Sequence, residues 1–156
     1  MKKLYQKILI VLLGILVVGF YAQKINNTTT KYNAEYVYTI DGDTSVFKVN
    51  DEEIKVRYLA INTPEVDEDY YEEAKDFVDD KLSSATKIVL EKDPNADQDK
   101  YGRYLFWVFV DGELLNGEIV SKGLAEVTYL YDDYLYTDEL LSLQKEAKAN
   151  KLGLWS

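Results

Sequence analysis

The chain contains no histidine and no cysteine among its 156 residues. A protein without these side chains has no imidazole base, no thiol nucleophile, no disulfide and no structural zinc site of the cysteine–histidine type. Acid–base chemistry must then come from Asp, Glu, Tyr or Lys. Any bound metal must have oxygen ligands, which favours Ca²⁺ or Mg²⁺.

Positive charge is also scarce, because 28 acidic residues face 18 basic ones and the formal net charge is −10. Three of the lysines lie at the N-terminus, at positions 2, 3 and 7, so the remainder is more acidic than the whole chain. Proteins that bind polyanions usually carry a basic face. The composition therefore predicts poor affinity for nucleic acid and a strong dependence of that affinity on salt.

The N-terminal segment has the pattern of an export signal, since the three lysines precede an apolar run over residues 8–22. The run is shorter than the roughly 20 residues that span a bilayer comfortably. Two alternatives stay open for residues 1–23, a cleaved signal peptide and an uncleaved membrane anchor helix. Both place the rest of the chain on the extracellular side. Residues 24–34 are predicted to form a mobile polar linker, and residues 35–156 one domain.

Within that domain, strand patterns precede and surround three helical ones. The predicted strands, rich in β-branched and aromatic residues, cover 36–40, 45–49, 54–61, 87–91, 104–110 and 125–129. The predicted helices cover 67–82, a short stretch capped by Asn116 and ended by Gly123, and a last stretch capped by Thr137 or Asp138 that reaches about Asn150. This order predicts an α+β domain built on a small barrel.

The residues with chemical potential fall into short motifs. Asp41-Gly42-Asp43-Thr44 and Asn62-Thr63-Pro64-Glu65 offer oxygens for a hard cation and a carboxylate that could activate water. Arg57, and Arg103 within Asp99-Lys100-Tyr101-Gly102-Arg103, offer planar forks that match two phosphate oxygens. The combination indicates metal-assisted phosphodiester chemistry.

Each of these residues alone also suits a plain structural role. Asp43 could belong to a solvated turn, and Glu65 could be the first acid of the helix that follows. The arginines could form surface ion pairs in so acidic a chain. The 14 tyrosines are mostly expected to fill the core or the surface.

The motifs occur in one order, together with Gly123-Leu124-Ala125, Tyr129-Leu130-Tyr131 and Leu154-Trp155-Ser156. In this order they resemble the staphylococcal nuclease (thermonuclease) family over residues 36–156. The resemblance implies a five-stranded OB-fold barrel with about three helices. It also implies a Ca²⁺-dependent phosphodiesterase that hydrolyses DNA, RNA or both to 3′-phosphate ends, and the N-terminal segment predicts that this enzyme is exported. A monomer is expected, with the membrane as a further partner if the N-terminal segment is not cleaved.

The resemblance also implies roles for individual residues. Asp43, Asn62 and the backbone carbonyl of Thr63 would hold Ca²⁺, with Asp41 supporting them. The catalytic residues would be Arg57, Glu65 and Arg103. The residues that contact substrate would be Lys100, Tyr101, Tyr129 and Tyr131.

The chain departs from the family pattern in two places. Asn62 stands where the family has a second metal-binding Asp, which predicts a lower affinity for Ca²⁺. The basic loop that follows Thr-Pro-Glu in the related nuclease is replaced by a shorter acidic stretch, residues 66–73. These departures favour an alternative, a catalytically weak module that binds nucleic acid or protein on the same fold.

Overall fold

The computed structural model describes residues 29–156, so the predicted signal or anchor segment, residues 1–23, lies outside the described residues. Within the described range the strands are β1 (Lys31–Asp41), β2 (Thr44–Val49), β3 (Glu52–Tyr58), β4 (Ile61–Asn62), β5 (Ile88–Lys92), β6 (Tyr104–Val110), β7 (Glu113–Leu114) and β8 (Glu126–Val127). The helices are α1 (Tyr71–Ser83), α2 (Leu115–Ser121) and α3 (Thr137–Ala149), and a 3₁₀ turn covers Gly153–Trp155. From residue 29 onward, no helix has both the length and the apolar character that crossing a bilayer requires.

Five strands close into a barrel. β1, β2 and β3 form an antiparallel meander, while β1 also pairs with β5, and β5 pairs with β6. The barrel closes where β6 pairs with β3 in parallel, with Val56 opposite Tyr104. A closed five-stranded barrel with three helices confirms the predicted α+β class and is consistent with an OB fold.

The hydrophobic core lies inside the barrel and beneath the helices. Phe47, Tyr58, Leu90 and Trp107 are among its largest fully buried side chains. Burying an apolar side chain of this kind stabilises the fold by about 1.5–3 kcal/mol. The helices add further buried residues, Val78 from α1, Leu115 and Ile119 from α2, and Leu140 from α3.

The first strand begins earlier than the sequence predicts. Residues 31–34, assigned to a mobile linker, pair with residues 88–91 of β5, from Lys31 opposite Glu91 to Ala34 opposite Ile88. Because β1 pairs with β5 in its first part and with β2 in its second, its full length is needed to close the barrel. The prediction of a linker through residue 34 is therefore wrong for 31–34.

The predicted strand 54–61 is interrupted. β3 ends at Tyr58, Ala60 takes a left-handed φ of 62°, and β4 restarts at Ile61 to pair with β8. Left-handed backbone is uncommon for a residue other than glycine, so the pattern gave no signal of this turn. The turn brings Arg57 of β3 within reach of Asn62 of β4.

The predicted helix ends also need correction. α1 begins at Tyr71, not at residue 67, because Asp67 and Tyr70 have φ values of 73° and 69°. Asn116 does not cap α2 but lies within it, where its Oδ1 accepts the Val108 N–H and its Nδ2 donates to the Leu59 carbonyl. Thr137 and Asp138 lie in the first turn of α3, which begins after Tyr136 without a side-chain cap.

Candidate active site

The Asp-Gly-Asp motif forms the tight turn between β1 and β2. A Cβ on Gly42 would lie 2.8 Å from both Ala74 Cβ and Thr63 Cγ2, so only glycine allows the turn to approach α1 and Thr63 this closely. Asp41 Oδ1 accepts the backbone N–H of Asp43 at 3.1 Å. The turn therefore fixes the position of Asp43.

Both carboxylate oxygens of the buried Asp43 are engaged. Oδ1 accepts hydrogen bonds from Thr44 Oγ1 and Arg57 Nε, each at 3.0 Å. Oδ2 accepts the N–H of Thr63 at 2.9 Å and its hydroxyl at 3.2 Å. Burial raises the pKa of the Asp43 carboxyl to about 6, although the Arg57 guanidinium opposes part of that rise. The ionised form of such a group gains from any further cation nearby.

The guanidinium of Arg57 is held by three acceptors. Besides Asp43, NH1 donates to the Tyr58 carbonyl at 2.7 Å and NH2 donates to Asn62 Oδ1 at 3.1 Å. A guanidinium has five N–H donors, so each terminal nitrogen keeps one N–H beyond these bonds. The fork is rigid, and two donors remain that could contact an anion in the cleft.

Two of the three predicted metal ligands meet at this guanidinium. Asp43 Oδ1 and Asn62 Oδ1 both contact Arg57, at 3.0 and 3.1 Å, so the two oxygens converge on one cationic group. Their chemistry, together with the Thr63 carbonyl, suits a hard cation such as Ca²⁺. In residues 29–156, however, no three acidic side chains come close enough to share one ion. These oxygens are therefore of the type that binds Ca²⁺, but Asn62 supplies less negative charge than a second carboxylate would.

Glu65 lies on a short loop between β4 and α1. Its backbone N–H donates to Glu68 Oε2 at 2.7 Å, and the Glu68 N–H donates back to the Glu65 carbonyl at 3.0 Å. The fixed φ of Pro64 restricts the loop from the other side. The exposed Glu65 carboxylate thus stands on a locally constrained backbone at the edge of the cleft.

Arg103 is held by a turn of its own. Asp99 Oδ2 accepts Arg103 Nε at 2.7 Å, while Oδ1 accepts the N–H groups of Tyr101 and Arg103. Gly102 supplies the left-handed φ of 77° that this turn requires. Burial alone would raise the pKa of Asp99, but the hydrogen bonds from Arg103 and Tyr101 outweigh it and lower that pKa.

Asp99 belongs to one of the predicted motifs, but the motif alone predicts no role for it. An Asp that precedes a glycine turn often bonds the backbone two residues later. The sequence contains this signal, because Gly102 follows Asp99 by three residues. In the structure Asp99 accepts the Tyr101 N–H as the signal predicts.

Exposed tyrosines surround the arginines. Tyr101 is 72 % exposed and Tyr131 is 82 % exposed. The Tyr129 ring lies 5.7 Å from the Arg57 guanidinium and 6.1 Å from the Tyr131 ring. Lys100 Nζ lies 5.0 Å from the centre of the Tyr101 ring. These side chains form an aromatic and cationic border, and the buried Tyr134, which the sequence did not distinguish from other tyrosines, adds to it.

All these elements line one open cleft of about 720 Å³. Among the site residues predicted from the sequence, only Thr63 does not line the cleft; it is buried, and its N–H donates to Asp43. The other nine predicted site residues line the cleft together, namely Asp43, Arg57, Asn62, Glu65, Lys100, Tyr101, Arg103, Tyr129 and Tyr131.

Comparison with known proteins gives consistent relatives. The family model for staphylococcal nuclease homologues matches residues 55–156, which includes every predicted site residue except Asp43. Endonuclease YncB of Bacillus subtilis (strain 168) is 37 % identical over 75 % of this chain and 58 % of its own length. The prophage-derived endonuclease YokF of the same organism is also 37 % identical, over 75 % of this chain and 42 % of its own length. The chain thus spans about half the length of these two relatives.

A third relative matches from end to end. The thermonuclease of Staphylococcus hyicus is 28 % identical over 100 % of this chain and 99 % of its own length. The similarity therefore includes the β1–β2 turn that carries Asp43.

Proposed function

Because the chain belongs to the staphylococcal nuclease family, we propose that it is a Ca²⁺-dependent endonuclease that hydrolyses DNA, RNA or both and leaves 3′-phosphate ends. The observation that carries this proposal is the convergence of different elements on one cleft. A carboxylate on a constrained loop, two guanidinium forks and a pair of convergent oxygens all line it. The names of the related endonucleases and thermonuclease support the same reaction class.

In this proposal Asp43, Asn62 and Thr63 hold the Ca²⁺ ion. When bound, the ion supplies a Lewis acid that polarises a phosphodiester oxygen. Thr63 contributes further by fixing the Asp43 carboxylate through its N–H and hydroxyl. The raised pKa of Asp43 supports its place in a functional site, because acids with perturbed pKa values in clefts are frequent at such sites.

Glu65 is the proposed general base or positioning group for the attacking water. A base must lie within hydrogen-bond reach of the proton that it accepts. The turn shared with Glu68 limits the positions that Glu65 can take, which is the local condition for such reach.

Arg57 and Arg103 are the proposed phosphate-binding residues. Negative charge builds on the phosphoryl oxygens as the transition state forms, and pre-organised donors stabilise it there. Arg57 offers two N–H groups beyond its internal bonds. The single side-chain acceptor of Arg103 within the described chain is Asp99, bonded through Nε.

Tyr101, Tyr129 and Tyr131, with Lys100, are proposed to contact the substrate strand. An aromatic ring stacked on a base contributes about 1–3 kcal/mol. These rings are exposed at the cleft border, where bases of a bound strand can reach them. Such stacking would help to compensate for the acidic surface, which repels a polyanion.

We also propose that the chain acts outside the cytoplasm. The support is the lysine-led apolar run over residues 8–22. Expression of the full chain followed by separation of membrane, cytosol and medium tests it. Recovery in the medium or on the membrane is expected, and recovery in the cytosol alone would reject export.

The test of the nuclease proposal is release of acid-soluble fragments from single-stranded DNA and from RNA, with Ca²⁺ and with a chelator. We expect Ca²⁺-dependent release by the wild-type chain and none by Glu65→Gln. End-labelling of the products distinguishes 3′- from 5′-phosphate. Equal release by Glu65→Gln and wild type, or equal release in chelator, would overturn the proposal.

A second candidate is a module that binds nucleic acid without cleaving it. The observation that favours it is Asn62, which removes one negative charge from the ion site. Binding of a single-stranded oligonucleotide with no hydrolysis at any Ca²⁺ concentration would select this candidate.

A further inference from the structure

The end of β5 carries two buried acids that the cleft does not use. Glu91 and Asp93 are 3 % and 0 % exposed. Burying a carboxylate is costly unless strong hydrogen bonds compensate. Neither acid lines the cleft, so their hydrogen-bond partners lie elsewhere in the fold.

Both acids bind the same irregular segment, residues 133–136. Asp93 Oδ2 accepts the backbone N–H of Leu135 at 2.9 Å, and Glu91 Oε2 accepts the Tyr136 hydroxyl at 2.9 Å. Asn95 extends the contact, because its Nδ2 donates to the Asp133 carbonyl at 2.8 Å. We call Glu91, Asp93 and Asn95 the β5 clamp.

Asp93 also ties the clamp to the core and to its own loop. The same Oδ2 accepts the indole N–H of the fully buried Trp107 at 2.9 Å, and Oδ1 accepts the Asn95 N–H at 2.9 Å. Hydrogen bonds to an ionised acceptor are the stronger kind. The segment is therefore attached to the most buried part of the barrel.

The clamped segment is the one that carries the tyrosines of the cleft. Between β8 and α3 the chain forms neither helix nor strand, and Tyr129, Tyr131 and Tyr134 lie along it. Its first end is tied by the Thr128 N–H to the Ala60 carbonyl at 3.1 Å. The β5 clamp ties its second end. The clamp adds these hydrogen bonds to the packing of Tyr136 on Trp107 and Phe109, so without it the second end of the segment would be held less firmly.

We propose that Asp93, together with Glu91 and Asn95, is a positioning residue that holds the tyrosine segment over the cleft and thereby sets substrate affinity. This inference rests on the proposed nuclease function. A loop that must be ordered when substrate binds lowers affinity by the free energy of ordering. Glu65, Arg57 and Arg103 lie on other elements, so loss of the clamp raises KM and leaves kcat nearly unchanged.

The first test is Asp93→Asn, assayed on single-stranded DNA well below its unfolding midpoint. Asparagine has one acceptor oxygen, so the variant loses either the bonds from Leu135 and Trp107 or the bond from the Asn95 N–H, and the bonds that remain lose the carboxylate charge. We expect KM to rise about tenfold, the equivalent of one lost charged hydrogen bond, and kcat to change less than twofold. Val78→Ala is the matched control, because it removes volume from the core beneath α1 and takes no part in the hydrogen bonds to residues 133–136. That control is expected to lower stability and leave KM unchanged.

Asn95→Ala provides a variant whose folding is not in question, because Asn95 is exposed. It removes only the bond to Asp133 and is expected to raise KM about threefold. An unchanged KM in both Asn95→Ala and Asp93→Asn would overturn the proposal. A KM that rises in Val78→Ala as much as in Asp93→Asn would also overturn it.

A double-mutant cycle separates positioning from general destabilisation. In a Tyr129→Leu/Tyr131→Leu background, Asp93→Asn should raise KM less than twofold, because the rings through which it acts are gone. A full tenfold rise in that background would contradict the proposal.

The failure of the nuclease proposal can be distinguished from failure of the clamp. If the wild type binds but does not cleave, the same cycle is measured as binding of a fluorescent single-stranded oligonucleotide. The binding can be measured in Glu65→Gln whether or not the wild type cleaves. If Glu65→Gln with and without Asp93→Asn binds the oligonucleotide equally, the clamp proposal is rejected and the nuclease proposal is not affected.

Discussion

The two arginines of the cleft are held in different ways. The Arg57 side chain is 9 % exposed, and its three acceptors come from the β1–β2 turn, its own strand and β4. The Arg103 side chain is 28 % exposed and is held by Asp99, four residues away in the same turn. Arg57 is thus fixed by the tertiary fold, whereas Arg103 is fixed by local sequence. Pre-organisation of one site can come from both sources, and substitutions should reveal which source serves each residue.

Arg57→Lys should have the largest effect and should reduce both activity and stability. A lysine keeps the charge but cannot reach three acceptors, so kcat should fall on the order of 10²–10³-fold. The unfolding free energy should fall by about 1–3 kcal/mol, because buried acceptors lose their donors. Steady-state kinetics and urea unfolding measure the two effects. Full turnover by Arg57→Lys would remove this residue from the proposed role.

Asp43→Asn tests the buried partner of Arg57 through the pH dependence of the unfolding free energy. The pKa of Asp43 is raised from 3.8 to about 6, so the folded state binds this proton more tightly than the unfolded state. Ionisation of Asp43 therefore lowers stability as pH rises from about 4 to 7, by about 3 kcal/mol at most. In chelator, Asp43→Asn should gain stability relative to wild type over this range. A difference in urea unfolding that does not vary with pH would contradict the expectation.

Arg103→Lys should lose activity without losing stability. We expect kcat to fall about tenfold to a hundredfold, since one bidentate donor to the phosphate is lost. The unfolding free energy should stay within about 0.5 kcal/mol, as for other partly exposed substitutions. If Arg103→Lys unfolded as readily as Arg57→Lys, the proposed difference between the two arginines would be wrong.

Asn62→Asp tests whether residue 62 is a ligand of the proposed Ca²⁺ site. A second carboxylate beside Asp43 should raise Ca²⁺ affinity on the order of tenfold, because it adds a full charge to the ion's surroundings. Isothermal titration calorimetry measures this directly and requires no turnover. Equal affinities in the two proteins would count against Asn62 as a ligand.

Glu68→Ala should have the smallest effect. It removes the acceptor of the Glu65 N–H, and an exposed hydrogen bond of this kind is worth about 0.5–1.5 kcal/mol. We expect kcat to fall about twofold to fivefold, and Glu68→Gln, which retains an acceptor, to restore it. A loss in Glu68→Gln equal to that in Glu68→Ala would show that charge, and not the turn, is what matters.

Much of this architecture could be predicted from local pattern. The alternation of β-branched and aromatic residues located most barrel strands, and the motifs located the cleft residues. What failed depended on contacts distant in sequence. Residues 31–34 form a strand only because β5 lies beside them, and Asn116 is a buried bridge because Val108 and Leu59 offer a donor and an acceptor.

The positioning residues were harder still to find. Asp93 and Glu91 are two acids among 28, and nothing in their own neighbourhood indicates burial or a contact with residues 135 and 136. The left-handed conformation of Ala60 could not be predicted either, since nothing in the sequence distinguishes it from an alanine in an ordinary conformation. These residues become visible only once the barrel is closed.

The parallel pairing of β3 with β6 has a consequence for when the chain becomes competent. It sets Arg57 opposite Leu105, two residues beyond Arg103. A slip of two residues along these strands would move one of the two positive side chains by about 6–7 Å relative to the other. An unfolded chain therefore contains all the proposed site residues without their arrangement, and the spacing of the two arginines is fixed only when β3 and β6 pair.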